Sequence, residues 1–173
     1  NPGLLKQQSF ADHELGLQWP PIDVEPDGSL GELINRYLQH EHPWKFEFIS
    51  KQVSANTRLG KKTLIWTSFV GNIAVLKKAL GQFSPAVVYG AVDAETREAE
   101  IQRFRASEKC SVLITNPQTL GEGISLHDVC HDAIYVDRTF NAGLYLQSLD
   151  RIHRLGLSPE TRTKIQILKT SNS

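Results

Sequence analysis

Apolar positions follow two regimes along the chain, and the change falls just after Arg58-Leu59-Gly60. Over residues 1–28, Pro2, Pro20, Pro21 and Pro26, with Gly3, Gly16 and Gly28, break every period. Phe10, Leu15, Leu17, Trp19 and Ile22 there predict a segment lying along a larger body. Ser29 predicts a helix cap, with Glu32 three residues later completing a capping box. Leu30, Leu33, Ile34, Tyr37 and Leu38 follow at helical spacing until His40-Glu41-His42-Pro43 ends the run. A second amphipathic stretch over 44–55 carries Trp44, Phe48 and Val53, with Lys45 and Lys51 expected outside.

Past residue 60, short unbroken apolar runs alternate with helical ones. The predicted strands are Thr63-Leu64-Ile65-Trp66, Ala86-Val87-Val88-Tyr89, Val112-Leu113-Ile114-Thr115, Ala133-Ile134-Tyr135-Val136 and Lys164-Ile165-Gln166-Ile167-Leu168. Between them, residues 72–80 predict a helix with Ile73, Leu76 and Leu80 inward. Asp93 predicts the cap of another helix that runs to 105 with Ile101 and Phe104 inward. Continuous Val/Ile/Leu strands separated by helices predict an α/β fold, a parallel sheet covered on both faces. Ligands in such sheets sit at the carboxyl ends of strands. Those ends are Thr67-Ser68, Tyr89-Gly90, Thr115-Asn116 and Asp137-Arg138.

Composition narrows this only a little. A chain of 173 residues suits one domain with a real core. Lys plus Arg equals Asp plus Glu at 19 each, so bulk charge selects no partner and any nucleic-acid contact must be local. Cys110 and Cys130 lie outside any CxxC spacing, which predicts free thiols in a reducing, intracellular compartment. No apolar run approaches the ~20 residues of a membrane span. The chain opens on Asn1 and contains no Met, which predicts an excised piece of a longer protein.

The chemistry concentrates in Gln147-Ser148-Leu149-Asp150-Arg151-Ile152-His153-Arg154-Leu155-Gly156. Taken as a helix, Gln147, Arg151 and Arg154 fall within roughly 60° of one another, with Tyr145, Leu149 and Ile152 opposite. Asp150 stands four residues before Arg154, where it can hold that guanidinium. Two forked, permanently charged donors side by side favour an anion between them, phosphate above all. The plain alternative is a solvated basic face, and for Arg97, Arg103 and Arg105 on the middle helix a solvated face is the expected reading over nucleic-acid contact.

Two patterns mislead. Gly60-Lys61-Lys62-Thr63 looks like the tail of a phosphate-binding loop, but Ala55 stands where the first Gly is needed, and the stretch precedes a strand instead of opening a helix. His127 and His131 have a metal-ligand spacing without the Glu or third ligand that zinc needs, so no metal site is expected.

Together these residues resemble one family. Asp137-Arg138-Thr139-Phe140-Asn141, then Gln147-x-x-Asp150-Arg151-x-His153-Arg154-x-Gly156, is similar to the end of the helicase core in Swi/Snf-type superfamily 2 DNA translocases. Gly121-Glu122-Gly123-Ile124-Ser125-Leu126 resembles that family's motif V, and Thr63 through Phe69 its motif IV. Phe140, Ala142, Ser125 and Leu157 replace the usual Trp, Pro, Asn and Gln, while both arginines stay.

The resemblance implies a RecA-like (P-loop NTPase-type) lobe over 44–173, preceded by a lead-in segment with one helix over 1–43. It implies the second lobe of an ATP-dependent DNA translocase or helicase, with ATP and Mg2+ held mainly by a first lobe absent from these residues. Arg151 and Arg154 would be arginine fingers and Gln147 would order the catalytic water or the opposing lobe. Gly121, Glu122, Gly123 and Asp150 would border the nucleotide. Thr67, Ser68, Phe69, Thr115, Asn116 and Thr119 would grip the backbone of DNA, duplex by family habit. The expected partners are DNA and the first RecA-like lobe, with no membrane. The expected place is the cytoplasm of a bacterium or the nucleus of a eukaryote. The alternative is a non-catalytic scaffold lobe that binds DNA or a partner protein. A Rossmann-like transferase would want G-x-G-x-x-G where Thr67-Ser68-Phe69-Val70-Gly71 stands.

Overall fold

Four of the five strands that the apolar runs form are buried along their whole length, as strands covered on both faces must be. The computed structural model describes residues 44–120, 124–137, 141–153, 157–158 and 160–169. The predicted helix and lead-in of residues 1–43 lie outside them, as do Gly121, Glu122, Gly123 and Arg154. The strands are β1 (Thr63–Trp66), β2 (Ala86–Val88), β3 (Val112–Thr115), β4 (Asp132–Tyr135) and β5 (Lys164–Ile167). The helices are α1 (Trp44–Arg58), α2 (Val70–Ala79), α3 (Ala94–Ala106) and α4 (Ala142–Leu149).

All strands pair in parallel, in the order β2-β3-β1-β4-β5. Trp66 lies level with Thr115 on one side and Tyr135 on the other, so the carboxyl ends of the three central strands meet at one edge. Alternation splits the core in two. Leu64 and Trp66 join Ile101, Phe104, Tyr135 and Ile152 on the face covered by α3 and α4. Ile65 joins Ile49, Val53, Ile73, Leu76 and Ile114 on the face covered by α1 and α2. The expected α/β arrangement, with helices on both sides of a parallel sheet, is what the chain forms. Asp93 caps α3 as predicted, its carboxylate accepting from the Thr96 N–H at 2.8 Å.

Three expectations need correcting. In α1 the buried stripe is Ile49, Val53 and Asn56, whereas Trp44 is 48% exposed. Lys45 is not outside: it is half-buried, and its ammonium donates to the Val136 carbonyl at 3.1 Å, fastening α1 over the end of β4. The third concerns the arginine stretch. Its helix stops at Leu149, and residues 150–152 form a turn.

The phosphate-loop look-alike is a strand lead-in, as its position predicted. Gly60 takes a left-handed φ of 68° to end α1, which Gly does without a Cβ clash. Lys62 turns inward, donating to the Ser107 and Cys110 carbonyls at 2.8 and 3.0 Å with its ammonium over the Phe104 ring. Cys110 and Cys130 are buried free thiols, and burial pushes the Cys130 thiol up to about 12.

The outer edge of β2 is sealed by side chains. Glu100 accepts from the Val87 N–H at 2.9 Å, and Arg103 pairs with Glu100 while donating to the Ser84 and Pro85 carbonyls. Burial pulls the Glu100 carboxyl upward, but the hydrogen bonds from Arg103 and Val87 and the nearby positive charges outweigh it and hold it below its ordinary value. A carboxylate depressed in the folded state adds stability above its unfolded value, and that stability fades as pH falls through the folded one. Glu100→Gln is therefore expected to lower the melting temperature at neutral pH. The gap from the unsubstituted chain should close as pH drops below about 4.5, the carboxyl's ordinary value. Melting curves across that range check it, and a gap constant with pH would contradict it.

Candidate functional site

Two clusters occupy the region that the motifs single out, and each depends on contacts between elements far apart in sequence. The first sits where β1 and β4 end. Asp137 extends a carboxylate across the pair: Oδ2 accepts from the Thr67 hydroxyl at 2.5 Å and from Asn72 Nδ2 at 3.2 Å. Its Oδ1 accepts from the Ser68 N–H at 2.6 Å. Asn72 Nδ2 also donates to Thr67 Oγ1 at 3.1 Å. Thr67 is fully buried and its hydroxyl is committed to this network, while Ser68 and Phe69 stand exposed at the rim. No side chain caps the start of α2 just beyond them.

The neighbouring strand end, after β3, is built by Asn116. Its side-chain oxygen accepts from the Thr119 N–H at 3.1 Å, closing a turn. Thr115 and Asn116 are buried, the Thr115 hydroxyl bonding to the Asn116 carbonyl, while Thr119 is half-buried beside Gly90. The six residues expected to meet nucleic acid thus separate. Ser68, Phe69 and Thr119 are reachable, whereas Thr67, Thr115 and Asn116 hold the turns in shape.

The second cluster surrounds Arg151. Asn141 caps α4, its Oδ1 accepting from the Leu144 N–H. On the buried side of α4, Tyr145 meets Tyr135 edge-on, and Tyr135 stacks on Trp66. The Ser148 hydroxyl donates to the Tyr145 carbonyl at 2.7 Å and so receives the Tyr135 phenol proton at 2.6 Å. Burial raises the Tyr135 phenol well above its ordinary range. Gln147 is exposed on the opposite side, and Asp150 ends the helix, also exposed. Arg151 then leaves along the turn. Its carbonyl accepts from the Leu126 N–H at 2.8 Å, and its Nη1 donates to the Ile124 carbonyl at 3.1 Å. Arg151 is half-buried, its guanidinium pinned to the segment that follows the glycine-rich motif. Ile152 fills the core as predicted. Arg154, expected as a second finger, and the glycine-rich Gly121, Glu122 and Gly123 fall outside the described residues.

Sequence reasoning missed Asp137 as a bonding centre and misjudged the arginines of α3. None of the three forms a solvated face. Arg97 donates to the Val92 carbonyl, Arg103 to Ser84 and Pro85, and Arg105 to the Ser125 carbonyl. These carbonyls all belong to loops, which no spacing within α3 could reveal, although Arg103 also pairs with Glu100 three residues before it. The His127 ring is likewise taken, by the Ser125 hydroxyl. Among the described residues no group of three or more His, Cys, Asp or Glu could hold a metal ion, and no helix is long and apolar enough to cross a membrane.

Comparison with known proteins agrees with the motifs. Residues 44–156 match the family model described as the helicase conserved C-terminal domain. A protein of Plasmodium falciparum described as a probable ATP-dependent helicase is 24% identical over 110 residues, 62% of this chain and 5% of its own length. Among solved structures, the C-terminal part of the Fun30 ATPase domain superposes with a TM-score of 0.66 at 22% identity, covering 82% of this chain and 47% of that one. The Sulfolobus solfataricus SWI2/SNF2 ATPase C-terminal domain gives a TM-score of 0.50 at 17% identity, covering 71% and 47%. The chain therefore spans a small fraction of the helicase it matches and about half of each structure.

Proposed function

Because the chain belongs to the helicase conserved C-terminal domain family and has the fold of Swi2/Snf2-type C-terminal lobes, we propose that it is the second RecA-like lobe of an ATP-dependent DNA translocase. Its task is to complete an ATP site whose phosphate-binding loop belongs to a first lobe. Arg151, with Arg154, reaches the phosphoryl oxygens, where negative charge grows in the transition state. The observation that supports this most is the state of Arg151. One nitrogen of its fork is held by the Ile124 carbonyl and its backbone by Leu126, while the half-buried group keeps further donors for an anion. Gln147 and Asp150, both exposed, stand beside it to meet the opposing lobe or the attacking water. Gly121, Glu122 and Gly123 lie immediately before Ile124 in sequence and border the same nucleotide.

Nucleic acid is met at the strand ends. Ser68, Phe69 and Thr119 present a hydroxyl, a ring and a turn at the rim, and the backbone N–H groups at the uncapped start of α2 favour a phosphate beside them. Such contacts follow a DNA backbone without reading sequence, which suits a chain with zero formal net charge. Mg2+ would travel with the nucleotide, held by the phosphate-binding loop of the first lobe.

A purified chain of these 173 residues is expected to hydrolyse essentially no ATP, with or without DNA, whereas the full-length protein does so and is stimulated by duplex DNA. Phosphate release from both checks this. Turnover by the isolated chain would overturn the division of labour, and a full-length protein that binds DNA without turnover would make the lobe a scaffold.

A further inference from the structure

We propose that residues 12–27 of this chain dock through their carboxylates into a basic groove on α1, away from the turns assigned to nucleic acid. The zero net charge of the chain hides three unlike stretches. Residues 1–43 hold seven Asp and Glu against Lys6 and Arg36, and residues 44–83 hold seven Lys and Arg against Glu47 alone. From 84 onward the two signs nearly cancel. The basic stretch is the one that forms α1 and α2. A shallow groove there is lined by Ser50, Lys51, Ser54, Ala55 and Arg58 of α1 and by Gln82. Lys51 and Arg58 are exposed, as are Lys61 just past α1 and Lys77 and Lys78 on the last turn of α2. Lys51 meets Glu47 at 2.6 Å in a pair open to solvent, which contributes little. Among the described residues no carboxylate pairs with Arg58, Lys61 or Lys78. Leu59, 71% exposed, adds apolar surface beside Arg58.

Neither task proposed for the lobe uses this face. Arg58 lies five residues before β1 begins and Gln82 four before β2, so the groove sits at the amino ends of the strands. Ser68, Phe69 and Thr119 stand at the carboxyl ends, and α1 covers the sheet face away from α4 and Ile152. Exposed cations without partners call for anions, and the same chain carries them. Asp12, Glu14, Asp23, Glu25 and Asp27 lie among Leu15, Leu17, Trp19 and Ile22, so the stretch offers carboxylates to the groove and apolar side chains to Leu59. Arg58 is about 21 Å along α1 from Trp44, at about 1.5 Å per residue. The linking residues 28–43 can span about 50 Å when extended, so the stretch reaches the groove. Joined to α1, it is present at about millimolar effective concentration, and weak ion pairs suffice to hold it. Seated there, it shields the face from the non-specific phosphate binding that such a charge otherwise invites. This inference goes beyond the lobe function and holds or fails apart from it.

The test treats the purified 173-residue chain with a carbodiimide, which joins a carboxylate to a lysine only where the two touch. Amide links from Lys51, Lys61 or Lys78 to carboxylates within 12–27 are expected inside single chains. Their yield is expected to fall about tenfold at about 1 M salt, where charges are screened beyond about 3 Å. Arg58→Glu combined with Lys78→Glu is expected to remove the links that remain at Lys51 and to speed protease cleavage within 12–27. The fold should survive both substitutions, since the two side chains are exposed. Links that join separate chains, links that persist at high salt, or equal cleavage of the two chains overturn the docking. Protection of Lys51 and Lys78 from acetylation by a short duplex DNA in the unsubstituted chain would give the face to nucleic acid and overturn it too. Such protection is expected only once Asp23→Asn, Glu25→Gln and Asp27→Asn are combined, and its absence there overturns the shielding role.

Discussion

Arg151→Ala in the full-length protein is expected to lower ATP turnover by ~10³–10⁵-fold, the range over which an arginine finger acts, while DNA affinity holds. The substitution also removes the hydrogen bond to the Ile124 carbonyl, so the two losses must be told apart by size. A hydrogen bond from a charged group contributes about 1.5–3 kcal/mol at most, and less where the side chain is partly solvated. Against a domain stability of about 5–15 kcal/mol, that loss leaves nearly all of the protein folded. A thousandfold fall in rate therefore cannot come from unfolding. Arg151→Lys sharpens the comparison. Lysine can still donate to Ile124 but is a point charge that cannot fork across two phosphoryl oxygens, so turnover is expected to stay low while the melting temperature recovers. Single-turnover ATPase and thermal melting on the same samples check both halves. Normal turnover in Arg151→Lys would reduce Arg151 to a tie between the turn and residues 124–126.

The largest stability effect is expected at Trp66. It ends the central strand β1, is fully buried, and stacks on Tyr135, which in turn meets Tyr145 of α4. Trp66→Ala deletes the first ring of that series and is expected to cost about 3–5 kcal/mol, a large share of the whole. Trp66→Phe should be far milder. The indole Nε1 is buried without an acceptor among the described residues, and removing an unmet donor recovers part of the packing lost, since such a group costs about 1–3 kcal/mol. Denaturant midpoints at unchanged slope measure the difference. Equal destabilisation by the two substitutions would show that Nε1 imposes no cost. Because the stack orients α4, Trp66→Ala is also expected to impair the arginine site beyond its effect on folding.

The parts of this molecule that could be foreseen are those whose cause is local. Leu64, Ile65, Leu113 and Ile114 sit in runs too short and too apolar for anything but strands of a sheet covered on both faces, and they form them. Asp93 caps α3 because its carboxylate needs only the Thr96 N–H three residues on. The parts that escaped depend on distant partners. Nothing between Gln147 and Gly156 breaks a helical period before Gly156 itself. The turn at 150–152 accompanies bonds that residues 124 and 126 make to Arg151. Lys45 looked like a surface lysine because its acceptor, the Val136 carbonyl, lies 91 residues away. Asp137 read as a strand-end residue, since its three donors belong to the β1 turn. At the candidate site, residue types were visible from sequence, and orientation was not. Thr67 and Ser68 are neighbours of similar chemistry, yet one is sealed inside and the other stands at the rim.

The strand order has a consequence for how the lobe comes into being. β1 is the earliest of the described strands to be synthesised, but its two neighbours are β3 and β4, which lie beyond residue 111. A nascent chain that has only reached β2 holds two of these five strands, and those two never pair with each other. Pairing this non-local is slow and leaves apolar segments uncovered for longer. Ribosome-bound chains ending before Val112 should therefore remain open to protease and to chaperones, and collapse into a resistant core only once β3 has emerged.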